Sequence, residues 1–108
     1  MVDNTELKIL LSKLDKRKIL YANHSLSNEL VYTQEELRTK IIDDIGRAYF
    51  NVRESVIAKL KHTGKSSFQA ALIRKDGSVL PLQIQATMTE YEQEQLIFAS
   101  IQPLIGDS

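Results

Sequence analysis

The sequence predicts an α+β domain: an antiparallel sheet built from both ends of the chain and roofed on one face by helices from its middle. Three observations predict it. Strand-like runs at 68–73 and 79–88 flank Asp76-Gly77, and Asp-Gly between such runs is a strong hairpin signal because Gly accepts positive φ. In the second run Leu80, Leu82, Ile84, Ala86 and Met88 alternate with Pro81, Gln83, Gln85 and Thr87, the period-2 pattern of a strand with one buried face. Between the N-terminal and C-terminal strands, Tyr49, Val52, Val56 and Leu60 fall on one stripe of a helix over 48–62.

The elements follow in order. Residues 7–14 form an apolar run, read as a strand or a helical turn, then a polar turn at Asp15-Lys16-Arg17-Lys18 and a second strand at 19–22. Ser25 is the expected N-cap of a short helix holding Leu26, Leu30 and Val31 on its inner side. Thr33-Gln34-Glu35-Glu36 has the capping-box pattern and opens another helix. Ile41, Ile42 and Ile45 sit in a connecting segment around Asp43-Asp44. The long helix places Lys59, Lys61 and His62 in its last turn, where cations suit the negative end of the dipole, and Gly64 at C′. Strands at 67–74, 79–90 and 96–102 complete the chain, with a polar turn at 90–94 and Pro103 as the stop.

The chain has 108 residues, of which 43% are hydrophobic, enough for one core and one domain, with the core over about 7–102. Lys+Arg and Asp+Glu are both 14; this balance, without a basic face, speaks against nucleic acid as a direct partner. No cysteine is present, which excludes disulfides, thiolate metal sites and a thiol nucleophile. No apolar run approaches the roughly 20 residues of a membrane span, and the polar N-terminus does not resemble a signal peptide. A cytoplasmic setting without membrane contact is the expectation.

In this order and spacing the residues resemble the PAS (sensory-box) family. Ile19-Leu20-Tyr21-Ala22-Asn23 is similar to the family's second strand, which typically ends in Asn. Residues 30–37 resemble its GY(S/T)xEEL segment, with Val31 where Gly is usual. Gly64-Lys65, Phe68 and Arg74-Lys75-Asp76-Gly77-Ser78 resemble its third and fourth strands and their DGS hairpin. The resemblance implies a PAS-like five-stranded antiparallel sheet, order 2-1-5-4-3, with helices on one face closing a pocket for a small ligand. It also implies dimer contacts through the outer sheet face, and an output domain, C-terminal or elsewhere, in a larger bacterial-type signalling protein. Two features depart from the family. Ser100-Ile101-Gln102 stands where many members have Asp-Ile-Thr, and Pro81 sits in a strand that should be internal.

The expected pocket lining is Tyr21, Leu30, Tyr49, Val52, Val56, Phe68, Leu72, Ile84 and Phe98; a filled core of the same residues is the alternative. Ala71, Ile73, Ile97, Ala99 and Ile101 are expected on the outer face, as a homodimer surface. The cofactor is left unknown. Covalent flavin photochemistry needs a cysteine, and haem needs an inward ligand, whereas His62 ends its helix and His24 reads as a loop residue. Asp43-Asp44 reads as charge at a helix N-terminus rather than a metal site. Ser66-Ser67 lacks a nucleophile elbow, and no phosphate loop or zinc helix is present. The expected function is therefore a non-catalytic sensory module, with a ligand-free interaction module as the alternative.

Overall fold

The structure, a computed structural model, describes residues 7–47 and 49–103, with side chains at 7–46 and 54–102. The expected pocket residues Tyr49 and Val52 have side chains outside the described residues. In chain order the elements are β1 (Lys8–Lys13), a 3₁₀ turn (Asp15–Arg17), β2 (Ile19–Ala22), α1 (His24–Leu30), α2 (Gln34–Arg38), α3 (Ile42–Ile45), β3 (Gly46–Arg47), α4 (Tyr49–Thr63), β4 (Lys65–Ile73), β5 (Val79–Tyr91) and β6 (Glu94–Pro103). The sheet runs β2-β1-β6-β5-β4-β3. Its five long strands have the expected order, counted as 2-1-5-4-3. The two-residue β3 is an addition, pairing Gly46 with Leu72 and Arg47 with Ala71 at the β4 edge.

Strand alternation sets the two faces. On β5, Leu82, Ile84 and Ala86 are buried; on β4, Ala70 and Leu72 are buried. Period 2 fails at β2, where Ile19 and Ala22 are both fully buried although three apart. A register shift explains this: Leu11 pairs with Tyr21 but Ser12 pairs with Ile19, so Leu20 is an extra residue that re-aims the strand. Pro81 lies opposite Ala71 of β4, near the start of β5, and β6 is described as far as Pro103, opposite Leu82.

Asn23, not Ser25, caps α1, and Val31, expected on its inner side, is instead the exposed residue that ends it in the left-handed conformation. Asn23 Oδ1 accepts from the N–H of Leu26 at 3.1 Å and from the N–H of Ile9 at 3.1 Å, and its Nδ2 donates to the Leu7 carbonyl at 2.6 Å. An Asn at the end of β2 thus ties β1 to the first helix, which a serine side chain two residues later does not reach. The α2 capping box is formed: Glu36 N–H donates to Thr33 Oγ1 at 3.0 Å, and Thr33 N–H donates to Glu36 Oε1 at 2.9 Å. The segment expected to be irregular holds one helical turn, α3, where Asp44 Oδ2 accepts from the Ile41 N–H at 3.0 Å.

The free edge of β2 is covered. The Gln34 side-chain amide exchanges hydrogen bonds with the Ala22 N–H and carbonyl, and Ile19 N–H donates to the Lys40 carbonyl at 3.2 Å. These contacts satisfy groups that would otherwise offer a pairing edge. At the opposite hairpin, Arg74 donates through Nε to the Glu29 carbonyl at 3.0 Å and through Nη2 to Glu29 Oε2 at 2.9 Å. Lys75 N–H donates to the Leu30 carbonyl at 3.0 Å, and its Nζ donates to Glu36 Oε2. The residues around Asp76-Gly77 therefore clamp both short helices as well as reversing the chain.

Candidate ligand cavity

α4 crosses the inner face of the sheet and buries Val56 and Leu60 against Ala86 and Ile97. Facing it, the side chains are small where adjacent strands meet. Ala99 of β6 lies opposite Leu10 of β1 and Ala86 of β5, and Ala86 lies opposite Ser66 of β4. Methyl and hydroxymethyl groups along one cross-strand row leave space that leucines would fill. The result is a cavity of about 40 Å³. Its floor comes from Leu10, Ser12, Ile97, Ala99 and Ile101 on β1 and β6, and from Ile84, Ala86, Phe68, Ala70 and Leu72 on β5 and β4. Val56 and Leu60 of α4 roof it, with Ile42 and Gly46 at one side.

Ser12 is the one polar side chain among the described lining residues, and it is 2% exposed. None of the described lining residues is ionisable. No buried side-chain nitrogen or oxygen among the described residues lacks a hydrogen-bond partner. The described lining residues can hold a small body by dispersion and one hydrogen bond, from Ser12, and include no acid, base or nucleophile pair.

Of the expected lining, Val56, Phe68, Leu72 and Ile84 are on the cavity wall. Leu30 is fully buried, but in the neighbouring cluster under α1 and α2. Tyr21 and Phe98 are not on the wall. Tyr21 is 47% and Phe98 41% exposed, and both lie on the outer face, where Leu11 pairs with each. Conversely Ile97, Ala99 and Ile101, expected outside, are buried inward and line the cavity. The two sets are exchanged because β6 pairs Ile97 with Met88, Ala99 with Ala86 and Ile101 with Ile84, putting its odd positions on the face of β5's buried even positions. Ala71 and Ile73 lie on the outer side of β4, half-buried.

Ser12 and Ala86 are site residues that the sequence reading does not name, and Ala99 is one that it assigns to the dimer surface instead. The available signal was the hairpin geometry at Glu92-Gln93, which sets the β5–β6 register.

The remaining candidates have local roles. His62 is exposed near the end of α4. His24 opens α1, with Asn28 Nδ2 at 3.1 Å from its Nε2. Asp43 accepts from Arg17 Nε at 2.7 Å and Nη2 at 3.2 Å. Among the described residues no cluster of three His, Asp or Glu could hold a metal ion, and no helix is long and apolar enough to cross a membrane. Glu36 and Asp76 are perturbed. The hydrogen bond from Lys75, then that from the Thr33 backbone, holds Glu36 below the usual carboxylate range. The Ser78 hydroxyl and backbone N–H lower Asp76 in the same way.

This topology, with its helical cover, recurs in solved proteins. A PAS domain from Desulfitobacterium hafniense superposes with a TM-score of 0.77 at 28% identity, over 90% of this chain and 92% of that one. The fold is that of a PAS domain. A PAS domain from Colwellia psychrerythraea gives 0.81 at 15% identity, over 91% of this chain and 86% of that one. In sequence, the domain is 26% identical over 99 residues to the methyl sulfide methyltransferase-associated sensor of Methanosarcina acetivorans. The match covers 90% of this chain but only 10% of that relative's length. No protein-family model matches the sequence.

Proposed function

We propose that this PAS domain is a non-catalytic sensory module of a larger signalling protein, which responds to a small molecule held between its sheet and α4. The carrying observation is the cavity floored by Ala86, Ala99 and Ser12 and roofed by Val56 and Leu60. A ligand there touches β1, β4, β5, β6 and α4 at once, so occupancy biases how the helix sits on the sheet. The sequence relative is named a sensor, which supports the same reading. On this reading, chemistry, where the whole protein performs any, belongs to an attached output domain.

Native mass spectrometry and the visible spectrum of the purified domain test this. A retained small mass, or a compound that raises Tm and perturbs the Ala86 and Ala99 methyls, supports it. A clean apo protein that no compound in a broad thermal-shift panel stabilises overturns it.

A specific observation favours a second reading, a homodimerisation module. Tyr21, Leu11 and Phe98 form an apolar cross-strand row on the outer face of β2, β1 and β6, with Tyr21 and Phe98 exposed. The row ends at Thr87 and Lys65 on β5 and β4. Sedimentation of the wild type and of Phe98→Glu decides it: a dimer dispersed by the substitution supports this reading, and a monomer in both removes it.

A further inference from the structure

We propose that the cavity beneath α4 takes an uncharged molecule of a few non-hydrogen atoms, apolar except for at most one hydrogen-bonding group, which the Ser12 hydroxyl meets. This rests on the ligand-sensing reading and narrows it to a chemical class.

Three features carry the assignment. The first is size. The cavity measures about 40 Å³, more than the roughly 10–15 Å³ one water needs and far below the roughly 300–1,000 Å³ of sites that enclose drug-sized ligands. A ring-bearing cofactor would have to lift Val56 and Leu60 off the sheet. The second is charge. No described lining residue is ionisable, so a carboxylate, phosphate or ammonium would enter without a counter-ion, at a desolvation cost that nothing on the wall offsets.

The third is the placement of polarity. Ser12 stands in the β1 ladder opposite Ile97 of β6 and Ile19 of β2, at the register shift that bends this corner of the sheet. Its hydroxyl is the single side-chain donor and acceptor on a wall otherwise built from Leu, Ile, Val, Phe and Ala, with Gly46. A wall this apolar gives water few partners, so a small apolar guest gains dispersion contacts while displacing only weakly held water.

Methyl-resolved NMR of the domain under xenon pressure, and separately with ethanol, tests the proposal. Xenon is expected to shift the Ala86, Ala99 and Ile97 methyls saturably and to leave the exposed Val31 and Val79 methyls in place. Ala99→Leu fills the space and should weaken xenon binding at least tenfold; Ala86→Val serves if that variant does not fold. Ser12→Ala should weaken ethanol roughly fivefold, the value of one hydrogen bond, and leave xenon unchanged. A flat xenon titration, or an undiminished response in the filled variants, overturns the proposal, and an unchanged ethanol affinity in Ser12→Ala removes the hydroxyl's role. A large or charged molecule retained under α4 would overturn this chemical class and leave the sensory reading standing. No response to xenon together with no retained or stabilising compound would remove both.

Discussion

Beneath α1 and α2, Leu26, Leu30 and Leu37 are fully buried, together with Ile19 and Ala22 of β2. Beneath α4 the same sheet presents Ala86, Ala99 and Ser12, and a cavity of about 40 Å³ remains. The two ends also differ in how they are tied down. The short helices are held by Asn23, by the Thr33–Glu36 capping box and by Arg74 and Lys75 from the far hairpin. The described half of α4 is held chiefly by Val56 and Leu60. A helix of five or seven residues has little stability of its own, so α1 and α2 need those anchors. The longer α4 can lie over an incompletely filled floor. The difference teaches that one end of the core sets the fold and the other has room to respond.

Four tests break or sharpen this contrast. The largest effect is expected from Leu26→Ala and Leu30→Ala, which open voids in the filled end and should cost about 2–5 kcal/mol by chemical denaturation. Val56→Ala, which enlarges an existing space with fewer atoms removed, should cost distinctly less. Equal costs at the two ends would erase the contrast.

Asn23→Ala should cost about 2 kcal/mol, because a lost N-cap is worth about 0.5–2 and the Ile9 N–H loses its partner as well. Asn23→Asp keeps the acceptor and should recover part of the loss. Next comes a gain. Val31 ends α1 at φ 65°, a left-handed conformation that costs an L-residue about 1–2 kcal/mol and is exceptional for a β-branched side chain. Val31→Gly removes the strain but adds roughly 0.5–1 kcal/mol of chain entropy, so a net stabilisation of about 0.5–1 kcal/mol is expected, read as a rise in Tm.

The smallest effect is the pH response of the clamp. Glu36 and Asp76 are both held below their ordinary values of 4.5 and 3.8. Carboxylates depressed in the folded state contribute stability that is fully present above the ordinary value. That contribution fades as pH falls from there through the folded value. Stability should decline as pH drops below about 4.5. Lys75→Met should flatten that decline, while a variant at the cavity end, such as Ala86→Val, should leave its slope unchanged.

Much of this was legible along the chain. The β5 alternation, the capping box at Thr33, the Gly64 stop and the Asp76-Gly77 reversal depend on residues within a few positions of one another, and each was placed as the structure has it. The face of β6 was not legible in its own run. From 96 to 102 both parities are apolar, Leu96 and Phe98 against Ile97, Ala99 and Ile101, so alternation gives no contrast between core and solvent. Tyr21 was misplaced for a related reason. The extra residue at Leu20 interrupts the period, and no local signal marks a bulge that exists only in the pairing with β1.

Local propensity and pattern, which operate over two to five residues, determined the order of the long elements, the Thr33–Glu36 cap and the reversal of the chain at Asp76-Gly77. Register acts between strands far apart in the chain, and it alone decided which β6 side chains face α4. It set Ala99 beside Ala86 on the floor below Val56 and Leu60. A cavity is space left between surfaces, and residues distant along the chain define it only once the strands have aligned and the helix has settled on them.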